Sequence, residues 1–208
     1  MSHLESLLTV AGEQRGYVTA RDADGVGVPP VELRKMAARG VLSRKGHGLY
    51  RIDAFPVQRH DEFMEANLWA GGEGVTSHES ALSLWELCDV NPRVINVTVP
   101  RRMRRASPTF YRLWINDLRP FDIDWHEGIR VTSPARSIAD ALDSGTRSSL
   151  IEQAIESALR YRLMDERSAK ELRNRLDLVY SGKPRPGPRA RLQPKLGVRC
   201  GRTWSGEI

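Results

Sequence analysis

The order of local signals in the first 52 residues is the strongest constraint on how this chain folds. Leu4, Leu7, Leu8 and Ala11 recur at helical spacing, so residues 2–14 read as an amphipathic helix that Gly16 stops. Tyr17 and Val18 make a short extended piece. Thr19 is a good N-cap for a short helix over residues 20–24, because its hydroxyl can accept from an otherwise free first-turn N–H. Asp24, Gly25 and Gly27 break that helix in a tight turn. Pro29 and Pro30 open a third helix to about Arg39, since the N–H that proline lacks has no partner in a first turn anyway. Leu33, Met36 and Ala37 share its core face, which leaves Glu32, Arg34, Lys35 and Arg39 outside. Gly40 sits where a left-handed residue ends a helix. From Val41 to Ile52, two β-prone runs flank a Gly46-His47-Gly48 tip, which predicts a hairpin.

Helix, short helix, turn, helix and hairpin is the order of a winged helix-turn-helix. In that arrangement the third helix enters the major groove of duplex DNA and the hairpin lies along the backbone or minor groove. Arg34 and Lys35 then stand where base edges or phosphates can be reached. Arg44, Lys45 and His47 on the wing are phosphate contacts, which position without reading sequence. Thr19, Arg21 and Arg39 complete the candidate DNA-binding set. The alternative is that these charges are only the solvated faces of a small domain.

After a junction at Val57 to Asp61, the expected fold is α+β: a winged helix-turn-helix followed by a mixed domain with a small sheet and several helices. Asp61 caps a helix to about Ala70, and Ser77 or Thr76 caps another to about Leu87. Residues 93–99 alternate, with Ile95, Val97 and Val99 as one apolar face, so they form a strand. Residues 110–115, 123–125 and 129–132 are further strands, and Pro134 opens a helix through Leu142. Helices follow at about 147–160 and 165–176. The domains expected are 1–57, 58–178 and a flexible basic tail over 179–208.

Charge distribution separates these parts. Residues 1–57 carry a net +2, residues 58–178 a net −2 and residues 179–208 a net +6. The proline-, glycine- and arginine-rich tail cannot bury enough apolar surface to fold alone. It is an arm that joins DNA binding or partner binding, or an inert solubilising one. Arg101, Arg102, Arg104 and Arg105 form a second basic patch on the link after the first strand of the mixed domain. That patch can grip DNA, another nucleic acid or an acidic protein face, or it is a solvated loop.

Little catalytic chemistry is visible. The histidines at 3, 47, 60, 78 and 126 lack metal-ligand spacing, and the glycine cluster at 71–74 lacks the Gly-Lys-Ser/Thr of a phosphate loop. His78 lies between Ser77 and Glu79, but adjacent helix residues point in different directions, so capping and packing are expected of them. Arg136 and Asp140, four apart on one helix, can pair. Neither a cofactor nor a metal is expected. Two distant cysteines, Cys88 and Cys200, suit a reducing cytoplasm rather than a disulfide framework. No apolar run reaches the roughly 20 residues of a membrane span, and the first residues do not read as a signal peptide.

Three stretches carry a family resemblance. Gly16 to Ala20, Leu33 to Leu42 and Gly46 to Arg51 together resemble the N-terminal domain of AbiEi antitoxins. Gly74 to Trp85 looks like that family's serine-histidine and leucine-tryptophan helix, and Val131 to Asp140 like its threonine, proline, arginine, aspartate segment. Antitoxins of mycobacterial type look most similar. The resemblance covers about residues 4–178 and leaves the tail out. It implies an antitoxin whose first domain represses its own operon at promoter repeats and whose second domain neutralises a nucleotidyltransferase-like toxin. Neutralisation by covalent modification of the toxin, such as phosphorylation, and a stand-alone transcription factor are the alternatives.

Overall fold

The computed structural model describes residues 2–181. Helix α1 (His3–Glu13) starts at a reciprocal cap: the Ser2 hydroxyl accepts from the Glu5 N–H, and the Glu5 carboxylate accepts from the Ser2 N–H. Its apolar stripe is narrower than the sequence spacing predicts. Leu7 and Ala11 are buried, whereas Leu8 is largely exposed. Gly16 follows at φ +89°, and a Cβ there would lie 2.7 Å from the Phe55 side chain, so both backbone and space require glycine. Strand β1 (Tyr17–Thr19), α2 (Ala20–Gly25), α3 (Pro30–Ala38), β2 (Leu42–Gly46) and β3 (Leu49–Ile52) complete the winged helix. Its sheet order is β1-β3-β2, antiparallel throughout. Leu7, Val18, Leu33, Leu42 and Ile52 fill its core.

The second half is also α+β. Its sheet has five strands in the order β6-β5-β4-β8-β7: β4 (Val75–Thr76), β5 (Ile95–Val99), β6 (Tyr111–Ile115), β7 (Ile123–His126) and β8 (Ile129–Thr132). The two-residue β4 carries no sequence signal, because so short a run has no measurable period. It nevertheless joins the halves of the sheet, antiparallel to β5 and parallel to β8. Strands β5 and β6 are parallel, so the arginine-rich link between them is a crossover rather than a hairpin turn.

Helix α4 (Asp61–Trp69) covers one side of the sheet, and α5 (His78–Leu84) lies between the sheet and a layer formed by α6 (Pro134–Asp143), α7 (Ser148–Arg160) and α8 (Glu166–Tyr180). Helix α5 ends at Leu84, three residues before the expected Leu87. Helix α8 runs past the expected end at 176, and the Tyr180 hydroxyl donates to the Thr146 carbonyl. The α7 stripe of Ile151, Ala154, Ile155 and Ala158 is core. Residues 182–208, which hold most of the basic tail, lie outside the described residues.

Strand β5 is covered on both faces. Val97 and Val99 pack in the core as expected, but Asn96 and Thr98 on the opposite face are buried as well. The Ser80 hydroxyl accepts from the Asn96 N–H at 2.8 Å, and Thr98 donates to the Ser77 hydroxyl at 2.8 Å. The polar alternation that resembles a half-exposed strand is instead a hydrogen-bonded seam beneath α5.

The two halves share a core. Tyr17 and Leu49 of the winged helix belong to one apolar cluster with Phe63, Met64, Trp69, Val97, Val99 and Val131. Around it runs a polar joint. Asp61, the expected cap of α4, is instead its first helical residue and is buried, with left-handed His60 (φ +73°) before it. Its carboxylate lies 3.5 Å from the Arg15 guanidinium and 3.4 Å from that of Arg51, and it accepts from the Gln58 N–H at 3.0 Å. Arg15 also donates to the Arg59 carbonyl at 2.7 Å and pairs with Glu127 at 2.8 Å. The Tyr17 and Tyr111 hydroxyls both donate to Glu65, at 3.0 and 3.4 Å. Burial, reinforced by the Glu65 charge, raises both phenols far above their ordinary range.

Candidate nucleic-acid interface

Helix α3 buries Leu33 and half-buries Met36 and Ala37, so its opposite face turns Arg34, Lys35 and Arg39 to solvent. The Lys35 ammonium is 2.8 Å from Glu32, an exposed pair one turn apart that a competing anion can open at little cost. The Glu32 carboxyl is held below its usual range, first by that hydrogen bond. Arg39 caps the helix, and Gly40 follows at φ +74°. On the wing, Arg44, Lys45 and His47 are all exposed, and the Arg44 Nε donates to the Gly46 carbonyl at 3.2 Å.

Thr19 and Ala20 meet the wing through the backbone, which places Arg21 next to that contact in the chain. Thr19 lies opposite Leu49, and the Ala20 N–H donates to the Gly48 carbonyl at 2.7 Å. The Thr19 hydroxyl is engaged by its own helix, accepting from the Asp22 N–H at 3.1 Å and donating to the Asp22 carboxylate at 2.7 Å. Arg21 is exposed. The start of α2 and the wing therefore form one ridge that exposes Arg21, Arg44, Lys45 and His47, and α3 is the second element of the same winged helix to expose cations.

The four-arginine link lies against this ridge. Arg105 stacks its guanidinium 4.4 Å from the centroid of the Trp69 ring and reaches the His47 carbonyl at 3.4 Å. The same Trp69 touches the wing from beneath: a Cβ on Gly46 would come within 3.2 Å of its ring. Arg101, Arg102 and Arg104 are exposed, and Arg101 pairs with Glu73 at 3.2 Å. The sequence shows these arginines but not their position, and nothing local marks Trp69 as the residue on which wing and link both rest.

The Ser77–His78 pair differs from expectation in geometry. His78 has φ +54°, which folds its ring back so that Nδ1 lies in a hydrogen bond with the Ser77 hydroxyl at 2.9 Å. Ser77 stands at the N-cap of α5 without a side-chain cap, and its oxygen accepts from Thr98 instead. The His78 ring stacks on Trp114 at 4.0 Å, and burial, then the Arg136 and Arg112 charges, push its pKa down to about 3. A fully buried serine beside so weak a base is a packing element rather than a nucleophile. Arg136 does pair with Asp140, at 2.8 Å, and also with Asp122 at 3.1 Å. Among the described residues, no group of three or more His, Cys, Asp or Glu side chains is placed to hold a metal ion, and no helix is long and apolar enough to cross a membrane.

Residues 5–52, which are the winged helix, match the family model described as "Transcriptional regulator, AbiEi antitoxin". No curated protein matches the chain. Among solved structures, the chain is similar to the RV2827C protein from Mycobacterium tuberculosis. The TM-score is 0.50 at 12% identity, over 88% of this chain and 72% of that one. At that identity the likeness is one of fold alone.

Proposed function

We propose that this protein is an AbiEi-type antitoxin that binds the promoter of its own operon through the winged helix. The observation that carries the reading is a coincidence of place. The segment matching the AbiEi regulator family is the same one that turns Arg34, Lys35 and Arg39 of α3 and Arg44, Lys45 and His47 of the wing to solvent. In this reading Arg34 and Lys35 read base edges or anchor the helix in the major groove. Arg21 and the wing cations hold phosphates, and Thr19 takes part by capping the start of α2 beside them. Residues 58–178 neutralise a nucleotidyltransferase-like toxin in the cytoplasm, and the antitoxin is of mycobacterial type.

Two experiments test it. The Arg34→Ala/Lys35→Ala variant should bind duplex DNA from upstream of its own gene more weakly, by about 1–3 kcal/mol for each base edge that is no longer read. Arg44→Ala should instead weaken all sequences alike and flatten the salt dependence. Equal affinity of the double variant and the wild type would exclude α3 as the reading helix. For the antitoxin role, co-expression with the neighbouring toxin gene should restore growth, and continued arrest would refute it.

A further inference from the structure

We propose that the crossover between β5 and β6 is a second contact to duplex phosphates, continuous with the wing, so that both halves of the chain build one DNA surface. The proposal rests on the DNA-binding reading above and extends it to Arg101, Arg102 and Arg104.

Three observations converge on it. The first is charge. From Val90 to Asn116 the chain has six arginines and not one Asp or Glu. Among the described residues, Glu73 alone neutralises part of the link, through its exposed pair with Arg101. The second is position. Arg105 is fixed between Trp69 and the His47 carbonyl, so the link is held at the wing tip and is not free to swing away. Burial disfavours the charge on Arg105, and its Nε is enclosed without a hydrogen-bond partner among the described residues. Arg105 therefore anchors the link, and the exposed arginines before it are the contacts. The third is reach. Arg101 is four residues from Arg105, a span of at most about 14 Å at 3.3–3.6 Å per residue. A duplex presents roughly eight phosphates along that length, counting both strands. The three exposed arginines before Arg105 thus lie within reach of several phosphates of any duplex that the wing contacts.

An acidic protein face is the rival occupant, and the chemistry beneath the link favours DNA. A protein interface places apolar side chains at its centre and charges at its rim. Here Leu49, Trp69 and Val99, which underlie the wing and the link, are buried in the protein's own core, and Arg101, Arg102 and Arg104 are exposed above them.

The test uses the full chain and the variant Arg101→Ala/Arg102→Ala/Arg104→Ala, which leaves Arg105 on Trp69. Binding is measured to a duplex from upstream of the gene and to a length-matched scrambled duplex, between roughly 50 and 200 mM salt. The slope of log K against log salt should fall in magnitude by about 0.9 for each phosphate that is no longer neutralised, or about 2–3 in all. Affinity should fall by the same factor for both duplexes, leaving their ratio unchanged, because phosphate contacts carry no sequence information. The matching lysine triple variant should recover the slope. An alanine triple variant with wild-type slope and affinity would overturn the proposal while leaving the α3 reading intact, as would a lysine variant no better than alanine. Failure of the wild type to bind either duplex would overturn both.

Discussion

At the scale of the residue, His78 shows how burial sets a chemical state. Its left-handed backbone returns the ring to the Ser77 hydroxyl, and Trp114 covers one face. With its pKa pushed down to about 3, the folded protein keeps this ring neutral at a pH where the unfolded chain, near 6.5, has already bound a proton. The unfolded state then holds more protons, so stability falls as pH drops below about 6.5, by up to about 1.4 kcal/mol per pH unit from this group. Asp140 acts in the opposite direction. Burial, against the pull of Arg136, raises it from 3.8 to about 6, so the folded state takes up its proton first and stability rises as pH falls across that window. Comparing wild type with His78→Asn by denaturant unfolding at pH 7 and pH 5 isolates the histidine. The wild type should lose stability relative to the variant, and parallel profiles would refute the assignment. The sequence draws attention to this pair but implies the wrong geometry, because nothing local shows that His78 takes positive φ.

At the scale of the element, the helices and the wing are legible because their determinants are local. Ser2 and Thr19 cap within three residues, Pro30 sits in the first turn of α3, and Gly40 follows its end. Strand β5 is legible as a strand but not as a central one. Alternation of Asn96 and Thr98 with valines predicts one wet face, and only α5 lying over that face makes it dry. The wing is likewise not supported by its own turn alone. Trp69, with 6% of its surface exposed, packs under Gly46 and carries Arg105 on its ring. Trp69→Ala should cost about 3–5 kcal/mol. It should also raise hydrogen exchange in β2 and β3 more than in α7 and α8, whose core is a separate cluster. A uniform rise in both regions would argue against a local role.

At the scale of the whole molecule, the joint matters more than either half. Arg15, Arg51 and Asp61 are drawn from turn, β-hairpin and helix, and all are largely shielded from water, with 11%, 7% and 7% of their side-chain surfaces exposed. Removing one partner of such a group leaves a buried charge uncompensated, which costs about 3–5 kcal/mol. The wild type should therefore unfold in one calorimetric transition. Asp61→Ala should lower its stability by that amount and uncouple the winged helix as an earlier transition. Two transitions in the wild type would show that the shared core does not couple the halves.

The sequence by itself determined the winged helix: its element order, its caps, its glycine stops and the outward set of Arg34, Lys35, Arg39, Arg44, Lys45 and His47. Each depends on residues a few positions apart, where helical period, capping and turn chemistry act directly. Only the tertiary structure decided where the arginine link lies. Arg105 and His47 are 58 residues apart, and Arg15 and Glu127 are 112 apart. No local period encodes such pairs. They form when separate apolar faces close on a common core, here around Tyr17, Leu49, Trp69 and Val97, and the charges above that core are carried into register by its packing.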